Sequence, residues 1–130
     1  MTRFETTNLP DRRDAIAPDG SAIRLLACGE RGSLVHCTLP PGATSLAVAH
    51  KTVEEIWYFV QGRGEVRRKR GEQEEVVAVG PGVSLTIPTG AHFQFRNTGA
   101  EPLCFLCVTM PPWPGAHEAY RVADYWPVDS

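Results

Sequence analysis

The chain has no run of about 18 apolar residues that could cross a bilayer as a helix. Its opening, MTRFETTNLPDRRD, lacks the apolar core of a secretory signal. A membrane partner is therefore not expected, and a cytoplasmic location is. An excess of charge of either sign is lacking too: 13 Lys and Arg stand against 15 Asp and Glu, for a formal net charge of -2. No field of this size gathers nucleic acid or an anionic surface. The one basic cluster, Arg67, Arg68, Lys69 and Arg70, runs at once into Glu72, Glu74 and Glu75. Neighbouring opposite charges cancel within a Debye length of about 10 Å, which predicts a solvated hairpin. Cysteines are few: Cys28, Cys37, Cys104 and Cys107. In a reducing compartment they are expected as buried thiols. The C-x-x-C at Cys104 and Cys107 lies in the apolar run LCFLCVTM, where residues three apart point to opposite faces of a strand, so core packing is expected rather than chelation. Also missing are a strand-to-helix elbow that would expose Ser33, Ser45 or Ser84 as a nucleophile, and a helix after Gly62 and Gly64 that would make a phosphate loop.

What is present is short, turn-punctuated β-forming sequence. The 130 residues, 42% of them hydrophobic, suit a single core. AIRLLAC, SLVHCTL, TSLAVAH, EIWYFVQ, EVRRKR, EEVVAV, VSLTI, HFQFR and LCFLCVTM are separated by Gly- and Pro-rich turns, and no helical periodicity is sustained before His117. This spacing predicts an all-β fold, one antiparallel jelly-roll β-barrel of at least eight strands over residues 20–111, without a helix longer than about 12 residues. Residues 1–19 read as an N-terminal arm. Residues 112–130 read as a Pro-anchored covering tail with one short helical turn, whose Trp113, Tyr120, Tyr125 and Trp126 pack on the barrel or on a second subunit.

From Gly42 to Gly62 the chain reads G-ATSLAVA-H-KTVE-E-IWYFVQ-G, and from Gly82 to Asn97 it reads G-VSLTI-P-T-G-AHFQFR-N. The pair resembles the double signature of the cupin superfamily. Gly42, His50, Glu55 and Gly62 match the first motif, and Gly82, Pro88, Gly90 and Asn97 match the second. The resemblance implies a small β-barrel with a divalent transition metal inside, held by His50, Glu55 and a further histidine. Two positions depart from the pattern. Val48 stands where the family has its first metal histidine, and Phe93 where it has its last, with His92 one residue early. Imidazole and carboxylate together suit zinc, iron, nickel or manganese.

Strand alternation sorts the remaining candidates. If Glu55 points inward, so do Trp57 and Phe59, while Ile56, Tyr58 and Val60 face out. A strand apolar on both faces is expected to be covered on both, by the arm, the tail or a partner protomer, and a homodimer is the natural assembly. His50 shares a face with Val48 and is either bonded to Glu55 or bound to metal. For HFQFR two registers are open. A bulge after Gly90 turns His92, Gln94 and Arg96 inward, to join His50 and Glu55. A regular strand turns Phe93 and Phe95 inward instead, so that the pocket is Val48, Trp57, Phe59, Phe93 and Phe95 round a lone His and Glu. His36 could reach the cavity from SLVHCTL, although a sheet-face histidine is the simpler reading, and His117 is expected to be exposed. Two functions fit: a metal-dependent oxygenase, isomerase or lyase, or a non-catalytic module that binds or senses a small molecule with weak or no metal.

Overall fold

A computed structural model describes residues 4–128. A short β1 (Ala15–Ile16) precedes β2 (Ala22–Cys28), β3 (Ser33–Leu39), β4 (Val48–His50), β5 (Glu54–Gln61) and β6 (Gly64–Arg70). Then come β7 (Gln73–Val79), β8 (Ser84–Ile87), β9 (His92–Asn97), β10 (Leu103–Met110) and, after one 3-10 turn at Ala116–Glu118, β11 (Ala119–Arg121). The strands form two antiparallel sheets. One has the order β1-β2-β3-β10-β5-β8 and the other β11-β4-β9-β6-β7. Strands β2 to β10 all lie within 20–111, the span expected to hold at least eight. Among the described residues there is no α-helix, and no helix is long and apolar enough to cross a membrane. The arm and the tail each add a short strand, β1 pairing with β2 and β11 with β4.

The alternation expected of β5 is realised. Glu55, Trp57 and Phe59 are buried between the sheets, and Ile56, Tyr58 and Val60 are 45%, 48% and 40% exposed. Among the described residues, neither arm nor tail covers that outer face. Inside, the Trp57 ring stacks on Phe105, with centroids 4.3 Å apart, and meets Phe93 and Phe95 edge-on. Such pairings add about 1 kcal/mol each beyond the area they bury. The thiols separate as alternation requires: Cys107 faces the interior, whereas Cys104 contacts Thr38 on the other side of the sheet.

The basic cluster lies in the β6–β7 hairpin, where Arg67 pairs with Glu74 and Arg68 with Glu75. It is less solvated than expected, because Arg67 is buried and its guanidinium lies 4.7 Å from the Tyr125 ring centroid. Arg96 covers Trp126 in the same way at 4.4 Å. The end of the tail is also anchored by Gln94, which donates to the carbonyls of Ser45 and Trp126 and accepts from the amides of Tyr125 and Trp126. Gln94→Leu is expected to cost about 2 kcal/mol. The loss stays modest because a detached tail can hydrogen-bond to water. Limited tryptic digestion should then cut at Arg121 in the variant well before it does so in the parent.

Candidate functional site

The site is built where β4 ends and β5 begins. His50 closes β4, Glu55 is the second residue of β5, and residues 51–53 connect the two strands. This connection has no regular hydrogen bonding of its own. The carboxylate of Glu118 supplies it from the tail: Thr52 Oγ1 donates to Oε1 at 2.6 Å, and the amides of Thr52 and Val53 both donate to Oε2. The Lys51 amide donates to the Glu118 carbonyl, and Ala119 pairs with His50. Burial presses the Glu118 carboxyl upward, but these donors and the nearby His50 outweigh it and hold the group below the ordinary carboxylate range.

Glu55 is buried and held at both oxygens. Oε1 accepts from the Trp57 indole at 3.0 Å, and Oε2 accepts from the hydroxyl of Thr109, its cross-strand partner, at 2.7 Å. The Cys107 sulfur lies 3.7 Å from that hydroxyl. His50 is 5% exposed, its ring edge-on to Phe93 and Trp113, and its Nδ1 is buried without a partner. An imidazole nitrogen in that state forfeits about 1–3 kcal/mol, which a bonding ligand atom would recover.

His50 and Glu55 share the wall of a cavity of about 410 Å³. Its apolar lining includes Ile23, Val35, Val48, Trp57, Phe105 and Trp113, and its polar lining Asp19, Cys37, Cys107 and Thr109. Asp19 falls in the span that reads as the arm, and nothing in its local sequence marks it as a site residue. Ser21 donates both its amide and its hydroxyl to Asp19 Oδ1, and the Leu46 amide binds the Asp19 carbonyl. Burial pushes the Asp19 carboxyl up against the lowering effect of Ser21. Burial likewise raises the thiols of Cys37 and Cys107 well above their ordinary range, so they are unionised and not nucleophilic.

The remaining candidates lie elsewhere. Strand β9 keeps a regular register against β6, from Lys69 opposite His92 to Gly64 opposite Asn97. With no bulge, Phe93 and Phe95 turn inward and His92, Gln94 and Arg96 turn away. The placement of His92 as a third ligand is thus corrected: it lies on the far face of β9 from His50 and Glu55. Gln94, expected in the pocket, lies under the tail instead. Phe59, Phe93 and Phe95 are core residues behind the cavity wall, where Val48 and Trp57 form part of the lining. His36, on β3 of the other sheet, points outward opposite Leu106, and burial and Arg24 lower its pKa. His117 is exposed.

The donor set does not fit a metal held by three or four protein ligands. Val48 and Phe93 carry no lone pair, both Glu55 oxygens already accept hydrogen bonds, and no group of three or more His, Cys, Asp or Glu among the described residues is arranged round one point.

Residues 35–109 match the family model described as a cupin domain. The chain belongs to the cupin family. This cupin is 34% identical over 114 residues to an uncharacterised protein of Methanocaldococcus jannaschii, an alignment that spans 84% of this chain and 86% of that one. Its fold is similar to a Bacillus halodurans crystal structure, with a TM-score of 0.65 at 23% identity over 72% of each chain. It is also similar to a deletion mutant of Bacillus subtilis oxalate decarboxylase, with a TM-score of 0.70 at 16% identity, covering 86% of this cupin and 30% of that enzyme. At these identities the two likenesses establish the fold alone.

Proposed function

We propose that this cupin is a cytoplasmic binding module whose two sheets act as one jelly-roll barrel round a small, largely apolar molecule. The observation that carries this reading is the cavity. Its volume of about 410 Å³ lies in the range of small-molecule sites, and its apolar wall is interrupted by a few polar residues, among them His50, Glu55 and Thr109. Four free thiols suit a reducing compartment.

The test is calorimetric titration of the full chain with indole, a neutral aromatic probe. Binding is expected in the parent and should weaken at least about tenfold in Val35→Trp, which fills the cavity from its wall. Equal affinity in both, with the fold of the variant verified by circular dichroism, would remove the cavity as the site. Elemental analysis of protein purified without a chelating tag tests the alternative, a metal-dependent oxygenase, isomerase or lyase, and no stoichiometric metal is expected. Stoichiometric metal that is lost in His50→Ala would overturn the binding reading in favour of that enzyme.

The same proposal includes a homodimer, supported by the exposed apolar face of Ile56, Tyr58 and Val60 on β5. Light scattering at micromolar concentration is expected to give the mass of two chains in the parent and of one in Tyr58→Glu. A monomeric parent refutes the assembly without touching the cavity.

A further inference from the structure

Given a small molecule in the cavity, as proposed above, we infer that β1 and the arm before it are the cavity's gate: they peel from β2 to admit the molecule, pivoting at the Ala17–Ser21 turn, and close again over it. The cavity reaches solvent between two rims. On one side stand Ile16 and Leu25, which line it and are 52% and 54% exposed. On the other stand the half-buried Trp113 and the exposed Ala116 of the tail. What holds each rim decides which one yields, since local opening is easiest where buried contacts are few and hydrogen bonds are exposed.

The tail rim is held firmly. Strand β11 pairs with β4 at three positions, the buried Glu118 carboxylate accepts from Thr52 and Val53, and the Trp113 amide donates to Ser33 Oγ. The Val122 amide extends the attachment by donating to the Ala47 carbonyl. The arm rim has far less. Strand β1 pairs with β2 at two positions, and its other edge has no partner strand among the described residues. Every residue from 4 to 16 except Pro10 is exposed. The arm's side-chain bonds to β2 are exposed as well: the Leu25 amide donates to Asp14 Oδ2, Arg24 to the Asp11 carbonyl, and the Cys28 amide to Glu5. Water can replace each of these at little cost. The pivot, by contrast, is fixed. The amides of Ala17 and Gly20 donate to the carbonyls of Ser21 and Ala17, the Leu46 amide donates to the Asp19 carbonyl, and Ser21 is fully buried. A strap tied at one end and loosely edged along its length turns about the tied end.

Hydrogen exchange of the free full chain tests the two rims without any ligand. The amides of Asp14, Leu25 and Cys28 are expected to exchange at least about tenfold faster than those of Thr52, Val53 and Val122. Equal protection overturns the gate, whatever binds. The second measurement uses 5-fluoroindole, with its affinity from calorimetry and its exchange rates from fluorine NMR. Asp14→Ala removes the acceptor of the Leu25 amide at an exposed position. It is expected to raise the association and dissociation rates together, by about fivefold, and to leave the Kd within about twofold. Gln94→Leu, which loosens the far end of the tail, should leave both rates within about twofold. A rise in dissociation alone would make β1 a fixed wall, and unchanged rates would show that the mouth is already wide enough. Rates that rise only in Gln94→Leu would make the tail the moving rim. Each of these results overturns the gate and leaves the cavity reading standing. If 5-fluoroindole does not bind the parent at all, the cavity reading falls and the gate falls with it.

Discussion

Gly62→Ala is expected to lose on the order of 4 kcal/mol, a large share of the stability of a small domain. Gly62 has φ +82, and a Cβ there would abut the Pro102 carbonyl and lie 2.9 Å from the Leu103 Cα. Both contacts are backbone at the start of β10, the central strand between β3 and β5, so relief would shift the strand that carries Phe105, Cys107 and Thr109. Gly90 provides the control. Its φ is also +82, but nothing lies within 4 Å of a Cβ built there. Alanine at Gly90 should cost only the left-handed conformation itself, about 1–2 kcal/mol. Urea denaturation of the two variants measures the difference. Equal losses would show that backbone conformation, not the approach of β10, makes Gly62 necessary.

Glu118→Ala is expected to cost about 3 kcal/mol, because it strips the hydrogen bonds from two backbone amides and a hydroxyl in the connection that carries the site. The effect should reach function as well. With residues 51–53 released, His50 and Glu55 lose their relative placement, so indole affinity should fall even where the variant is still folded. The pH dependence separates charge from packing. The folded-state carboxyl titrates below its ordinary value near 4.5, so its contribution is fully present above that value and is lost as the pH falls through and below it. Glu118→Gln should therefore be less stable than the parent at pH 7, and the gap should close as the pH falls from about 5 to about 3. A gap that is constant over this range would mean that the carboxylate charge contributes nothing.

The outward placement of the second motif's histidine shows where local pattern suffices and where it stops. The alternation of HFQFR was legible, as was the choice it posed between Phe93 and His92, but the register was not. Whether a strand bulges after Gly90 depends on which residues of β6 it pairs with, and those lie more than 20 positions earlier in the chain. Gln94 illustrates the same limit: its face could be read from its neighbours, whereas its partners, Tyr125 and Trp126, come from a tail whose docking has no local signature.

The sequence alone determined the all-β class, the glycine turns, the inward set Glu55, Trp57 and Phe59, and the opposed faces of Cys104 and Cys107. Each of these depends on backbone conformation and period-two alternation within a few residues. Only the tertiary structure decided that Asp19 joins His50 and Glu55 at one cavity, that Glu118 holds the connection between them, and that His92 faces away. These are contacts between segments far apart in the chain, set by sheet pairing and by burial that no single segment encodes.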